Sequence, residues 1–157
     1  MGIIILKNYG VLSDGEIDIV SFEKYFENES KGFVPDYQFY IKLHDTDTAI
    51  GRITFRNSNT EKIVKYIGHI GYGIDELYRG NRYASKACKL VKRVAIECGM
   101  EKLIITCNPD NFASRRTCEI IGAHLLEVIN IPKTSSAYSY EEKKKCRYEW
   151  MILKKNI

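Results

Sequence analysis

The passage from Gly71 to Gly99 restricts this chain more than any other: a glycine-rich extended segment ends, a short turn intervenes, and a long helix begins. Ala84, Ala87, Cys88, Val91, Val94, Ala95 and Cys98 recur at helical spacing, with Lys86, Lys89, Lys92 and Arg93 on the other side. One stripe is therefore buried and the other wetted. Gly99 closes the helix in the way glycine commonly does. Leu103–Cys107 follows as a short apolar run of the kind found in buried parallel strands. Strand, helix and strand together form a βαβ unit, which needs a sheet for its helix to cover.

The flanking segments supply that sheet. Ile3–Leu6 reads as a short first strand. Ser13-Asp14-Gly15-Glu16 has the form of a capping box, so Ile17, Val20, Phe22, Tyr25 and Phe26 read as an amphipathic helix ended by Gly32 and Pro35. Tyr37–Leu43 and Ala49–Phe55 alternate apolar with polar residues around the turn His44–Asp47, and are strands. After the polar turn Asn57–Thr60, Ile63–Ile74 reads as a third long strand carrying Gly68, Gly71 and Gly73. Glycine in a strand often marks a bulge or a close approach to the backbone. Asp110 or Asn111 caps a short helix ending at Gly122, and His124–Ile131 and Cys146–Leu153 close the fold across a long polar loop. The expected architecture is α/β: a mixed, largely antiparallel sheet with a central βαβ unit and helices on both faces, in one domain over residues 1–157.

Bulk properties exclude several classes. At 157 residues, 45% apolar and 28% charged, the composition is that of an ordinary globular chain. The apolar run Ile3–Leu6 is too short for a signal peptide or membrane span, and Leu6 stands where a myristoylation motif wants Ser or Thr. A cytoplasmic protein follows, with no membrane partner. Cys88, Cys98, Cys107, Cys118 and Cys146 form no Cys-x-x-Cys pair, which argues against a zinc site or a disulfide framework and leaves no metal expected. A net charge of +4 suits a polyanionic ligand but is too mild to argue nucleic-acid binding.

The turn Arg79-Gly80-Asn81-Arg82-Tyr83-Ala84 carries the chemistry. Amides at a helix start lack internal partners and, with the helix dipole, bind phosphate oxygens. Gly80 lets the backbone come close, while Arg79 and Arg82 add charge-assisted bonds; a pyrophosphate-bearing ligand is the physical reading. No Gly-Lys-Ser or Gly-Lys-Thr opens the helix, which excludes a P-loop, and Gly71-Tyr72-Gly73 alone is weak evidence for a dinucleotide site.

This stretch resembles the central motif of the GNAT superfamily of N-acetyltransferases, in which Arg or Gln, two residues, Gly, one residue, then Gly or Ala cradles the coenzyme A pyrophosphate. Arg79 takes the first place and Ala84 the last, while Arg82 stands at the usual glycine. With its side chain in solvent at an ordinary helical position, Arg82→Gly would leave binding intact and cost about 1 kcal/mol of helix stability. With its charge on the phosphates or the ribose 3′-phosphate, the favoured reading, the same change weakens binding. Downstream, Cys107–Ser114 followed by Glu119-Ile120-Ile121-Gly122-Ala123 is similar to the family's Asn-x-x-Ser segment and its ending. The resemblance implies acetyl-CoA as cosubstrate, held by Gly73, Ile74 and Asp75 on a bulged strand, by residues 79 to 84, and by Asn111 and Ser114 along the pantetheine arm. It implies direct attack by a primary amine, on a small molecule or a protein N-terminus, in a ternary complex. His69 and Glu76 are candidate bases beside a water relay, and Cys118 stands at the family's tyrosine acid. The thiolate otherwise takes its proton from the product ammonium. Assembly is expected to be monomeric or homodimeric. Turnover against a panel of amines separates this reading from a non-catalytic coenzyme A sensor of the same fold.

Overall fold

Alternation of buried and outward side chains builds the first half of the chain into a sheet. The computed structural model describes residues 4–5, 9–22, 25–26 and 36–153. Strands β1 (Ile4–Ile5), β2 (Val11–Ser13), β3 (Ile17–Ser21), β4 (Tyr25–Phe26), β5 (Asp36–Leu43), β6 (Ala49–Arg56) and β7 (Ile70–Ile74) precede helix α1 (Tyr83–Glu97). Then come β8 (Lys102–Cys107), α2 (Phe112–Ile121), β9 (His124–Asn130) and β10 (Lys144–Met151). An antiparallel five-stranded sheet runs β2-β3-β5-β6-β7, a three-stranded one runs β8-β10-β9, and β1 pairs with β4. Among the described residues, no helix is long and apolar enough to cross a membrane.

Three expectations change. The helix anticipated after Ser13 is a hairpin across residues 13–21: Ile17 and Ile19 are fully buried while Asp18 and Val20 turn outward, a period of two. Asp14 is the turn residue, its Oδ1 accepting the amides of Glu16 at 2.8 Å and Ile17 at 2.9 Å, with Gly15 at φ 89°. Gly32 and Pro35, where that helix was to end, lie outside the described residues. The single long strand from Ile63 to Ile74 is instead one turn of π-helix, Ile63–Ile67, followed by β7. Gly68 makes the break: it sits at φ 75°, and a Cβ there would lie 2.8 Å from the Ile104 carbonyl oxygen. Finally, β8 pairs antiparallel with β10 rather than lying in a parallel ladder, because β10 returns along it from Cys146↔Cys107 to Met151↔Lys102.

Both large sheets turn one face to a shared core. Ile19, Phe39, Ile41, Ile53 and Phe55 from the first meet Leu103, Ile105, Tyr148 and Trp150 from the second, under Ala87, Val91 and Val94 of α1 and Cys118 and Ile121 of α2. Each buried aliphatic side chain contributes about 1.5–3 kcal/mol. On the second sheet's other face lies the π-turn: Thr106 Oγ1 donates to the Tyr66 carbonyl at 2.8 Å and Arg147 Nη2 to that of Val64 at 2.9 Å.

Just before β7 the backbone ties the two sheets together. The His69 amide donates to the Ile104 carbonyl at 2.7 Å, and the Ile104 amide donates back to His69 Nδ1 at 2.8 Å. Beyond this junction β7 and β8 belong to different sheets, and the space between them opens.

Candidate active site

That opening is a cavity of about 940 Å³, walled by β7, the end of β8, the starts of α1 and α2, and the loop before β10. The edge of β7 facing it follows from strand alternation. The Arg56 amide donates to the His69 carbonyl and the Asp75 amide to that of Ile50, each at 2.7 Å. Pairing with β6 therefore falls on the odd-numbered residues, and the amides of Tyr72 and Ile74 face the gap. β7 pairs with β6 without a register shift from Ile70 to Ile74, so the expected bulge is not formed there.

At the far end of the gap α1 begins without a side-chain cap, which leaves its first amides for an anion. By contrast, α2 is capped by Asn111, whose Oδ1 accepts the Ser114 amide at 3.1 Å. Gly80, at φ 88°, and Arg79 form the approach to α1, with Arg79 Nε donating to the Ile74 carbonyl at 2.9 Å. Arg82 is the unusual residue, preceding the helix in the left-handed region at φ 61°, ψ 23°. There a glycine is unstrained and an arginine is not. The stability cost attached to the solvent-facing reading of Arg82 is thereby reversed, since position 82 lies just before the helix in a glycine conformation.

Of the residues the sequence pointed to, the groove is lined by Gly73, Ile74, Arg79, Gly80, Arg82, Tyr83, Ala84, Asn111 and Ser114. Asp75, Glu76 and Asn81 are not among its lining residues, and Asn81 Nδ2 donates back to the Tyr78 carbonyl at 3.2 Å. Lys86, one turn into α1, pairs with Glu16.

His69 is placed away from the groove lining and has both ring nitrogens engaged. Nδ1 accepts from Ile104, so Nε2 carries the proton and faces Asn59 Oδ1 at 2.8 Å. Burial pushes its pKa down to about 4, so the ring stays neutral as the pin between the sheets. Cys118 is wholly buried, and burial pushes its thiol up to about 12.

Sequence reasoning passed over Tyr72, whose hydroxyl lies 2.7 Å from Ser114 Oγ at the groove floor. Burial raises its pKa far above the ordinary tyrosine range, keeping it a hydrogen-bonding hydroxyl. Its place on a β-strand gave no local sign that it would reach under α2. The loop before β10 borders the groove through Ser136, Tyr138 and Glu142, and Lys145 of β10 lines it as well.

The family profile described as an acetyltransferase (GNAT) domain matches residues 11–124. The chain belongs to the GNAT acetyltransferase family. It is 32% identical over 104 residues to an uncharacterized N-acetyltransferase, YnaD, of Bacillus subtilis, covering 63% of this chain and 56% of that protein. Two solved structures share the GNAT fold at a TM-score of 0.56: a microcin self-immunity acetyltransferase in complex with acetyl-CoA and AMP, and a GNAT-family acetyltransferase from Bacillus anthracis. The first is 18% identical and covers 74% of this chain and 61% of its own; the second is 24% identical and covers 73% and 66%. The aligned region thus spans only about six-tenths of these relatives' length.

The charge of this GNAT groove fits an elongated polyanion. Lys62, Arg79, Arg82, Arg116 and Lys145 line it, against one carboxylate, Glu142, among its described lining residues. A Cβ built on Gly73 would meet nothing within 4 Å, so the strand leaves a side chain's worth of open space where the cavity passes.

Proposed function

We propose that this protein binds acetyl-CoA in the groove and transfers the acetyl group to a primary amine, on a small molecule or a protein N-terminus, by direct attack in a ternary complex. The observation that carries this reading is the continuous path from the open edge of β7 to the uncapped start of α1. Acetyl-CoA supplies an acyl group activated as a thioester. On this reading the α1 amides, Arg79 and Arg82 hold phosphate oxygens. The outward amides of Tyr72 and Ile74 hydrogen-bond the pantetheine arm and thioester oxygen, placing donors where negative charge develops. Asn111 fixes the α2 start, and Ser114, supported by Tyr72, presents a hydroxyl beside the arm. His69 is occupied as a structural pin and Cys118 is sealed in the core, so protons leave through water in the open groove.

The test is incubation of the protein with acetyl-CoA and a mixture of amine metabolites, followed by mass spectrometry. A product heavier by one acetyl group supports the reading. Coenzyme A binding with no acetylated product from any amine favours a coenzyme A sensor. No binding at millimolar coenzyme A refutes the site.

A further inference from the structure

The groove is lined both by residues at the helix starts and by Tyr66 and Ile67 of the π-turn. Arg79, Arg82, Asn111 and Ser114 line it on the helical side. Lys145 lies two residues before Arg147 on β10, so it shares Arg147's face, which carries the π-turn and is turned away from the helices. Lys145 Nζ donates to Asn108 Oδ1 at 3.0 Å on that face. Glu142 Oε1 lies 3.5 Å from the same Nζ. A coenzyme held at the start of α1 fills the groove from the helical side, and its reaction partner then enters from the π-turn side.

We propose that Glu142 receives the acceptor, binding it as an alkylammonium group; this rests on the acetyltransferase reading above. An ammonium ion entering a groove lined by five cationic side chains needs a counter-charge, and Glu142 is the one carboxylate among the described lining residues. The backbone holds it in place: the amides and carbonyls of Ser139 and Glu142 bond reciprocally at 3.2 and 3.1 Å, and the Glu142 amide also meets Ser139 Oγ at 3.0 Å. Lys145 is 11% exposed and locked to Asn108, whereas the Glu142 side chain is 48% exposed, with room for a second cation. The Lys145 charge beside that position disfavours the protonated acceptor, which favours release of the proton the amine must lose before it attacks. Glu142 is a positioning and specificity residue, and it selects cationic over neutral nucleophiles.

Tyramine, spermidine and an alanyl tripeptide serve as charged acceptors, and methoxyamine as a nucleophile uncharged at neutral pH. In Glu142→Gln the KM for the best charged acceptor rises about tenfold or more, as expected for loss of a charge-assisted contact. The KM for acetyl-CoA, the rate with methoxyamine and the melting temperature stay unchanged, and Glu142→Asp recovers part of the loss. Turnover in Glu142→Gln with an unshifted amine KM, or an equal defect with methoxyamine, overturns the role of Glu142 and leaves the transferase reading standing. Failure of the parent protein to acetylate any of these acceptors overturns both.

Discussion

Arg82→Gly should make the protein more stable and its coenzyme binding weaker. Arg82 lies at φ 61°, ψ 23°, where a non-glycine residue is strained by about 1–2 kcal/mol. Glycine removes that strain but gives the unfolded chain more freedom, which returns about 0.4–1 kcal/mol. The net gain is about 0.5–1 kcal/mol, or about 1–4 °C in melting temperature for a chain of this size. Loss of the guanidinium from the phosphate end of the groove acts the other way, by about 1.5–3 kcal/mol, roughly a tenfold to hundredfold loss of affinity. Differential scanning calorimetry reads the first effect. Titration of coenzyme A and its 3′-dephospho form into both proteins reads the second. If Arg82 meets the 3′-phosphate, the loss is confined to the intact coenzyme, and it shrinks at high salt because exposed charge pairs are screened over about 10 Å at 0.1 M. A glycine variant that melts below the parent refutes the strain argument. One that binds both ligands as tightly as the parent makes Arg82 a bystander.

The pin between the sheets has a pH signature. His69 is held neutral down to about pH 4 while an unfolded histidine takes its proton near 6.5, so stability is full above pH 6.5 and declines by up to about 3 kcal/mol as pH falls toward 4. Urea midpoints across that range should drop in the parent and flatten in His69→Gln. Two glycines of the β6–β7 pair should part company. A Cβ at Gly51 would lie 2.2 Å from the Gly73 carbonyl oxygen, so Gly51→Ala destabilises by about 1–3 kcal/mol in chemical denaturation. Gly73→Val meets open space, so it should leave the melting temperature near the parent's while abolishing coenzyme binding by calorimetry. Cys118→Ala should keep the parent's turnover number and lose about 1 kcal/mol of stability as a small core cavity, because the thiol is sealed from the groove; a large fall in turnover with intact coenzyme affinity would restore Cys118 as the acid.

Much of this was legible wherever a local pattern agreed with its surroundings. The stripe from Ala84 to Cys98 is long enough to admit one reading, and α1 buries Ala87, Cys88, Val91, Val94 and Ala95 as that stripe requires. The turn before it reads as an anion site because that chemistry is local to the backbone, and Arg79, Gly80 and Arg82 line the groove. Residues 13–16 were ambiguous: a serine followed three places later by glutamate suits a helix start, yet Asp14-Gly15 between apolar runs equally suits a hairpin, and the burial of Ile17 and Ile19 decided it. The break at Gly68 was out of reach, since it follows from the approach of β8, distant in sequence. The same holds for His69 and Tyr72, whose partners Ile104 and Ser114 are brought near only by the completed fold.

The parting of β7 from β8 also bears on how such a protein keeps to itself. Unpaired strand edges invite foreign strands and seed aggregation, and most sheets shield them with charge, bulges or a covering segment. Here two edges from separate sheets are turned toward each other across a cleft. Each blocks an intruding strand from lying flat along its neighbour, while a slender linear molecule still passes between them. The architecture that hinders a foreign strand is thus the one that leaves the groove open.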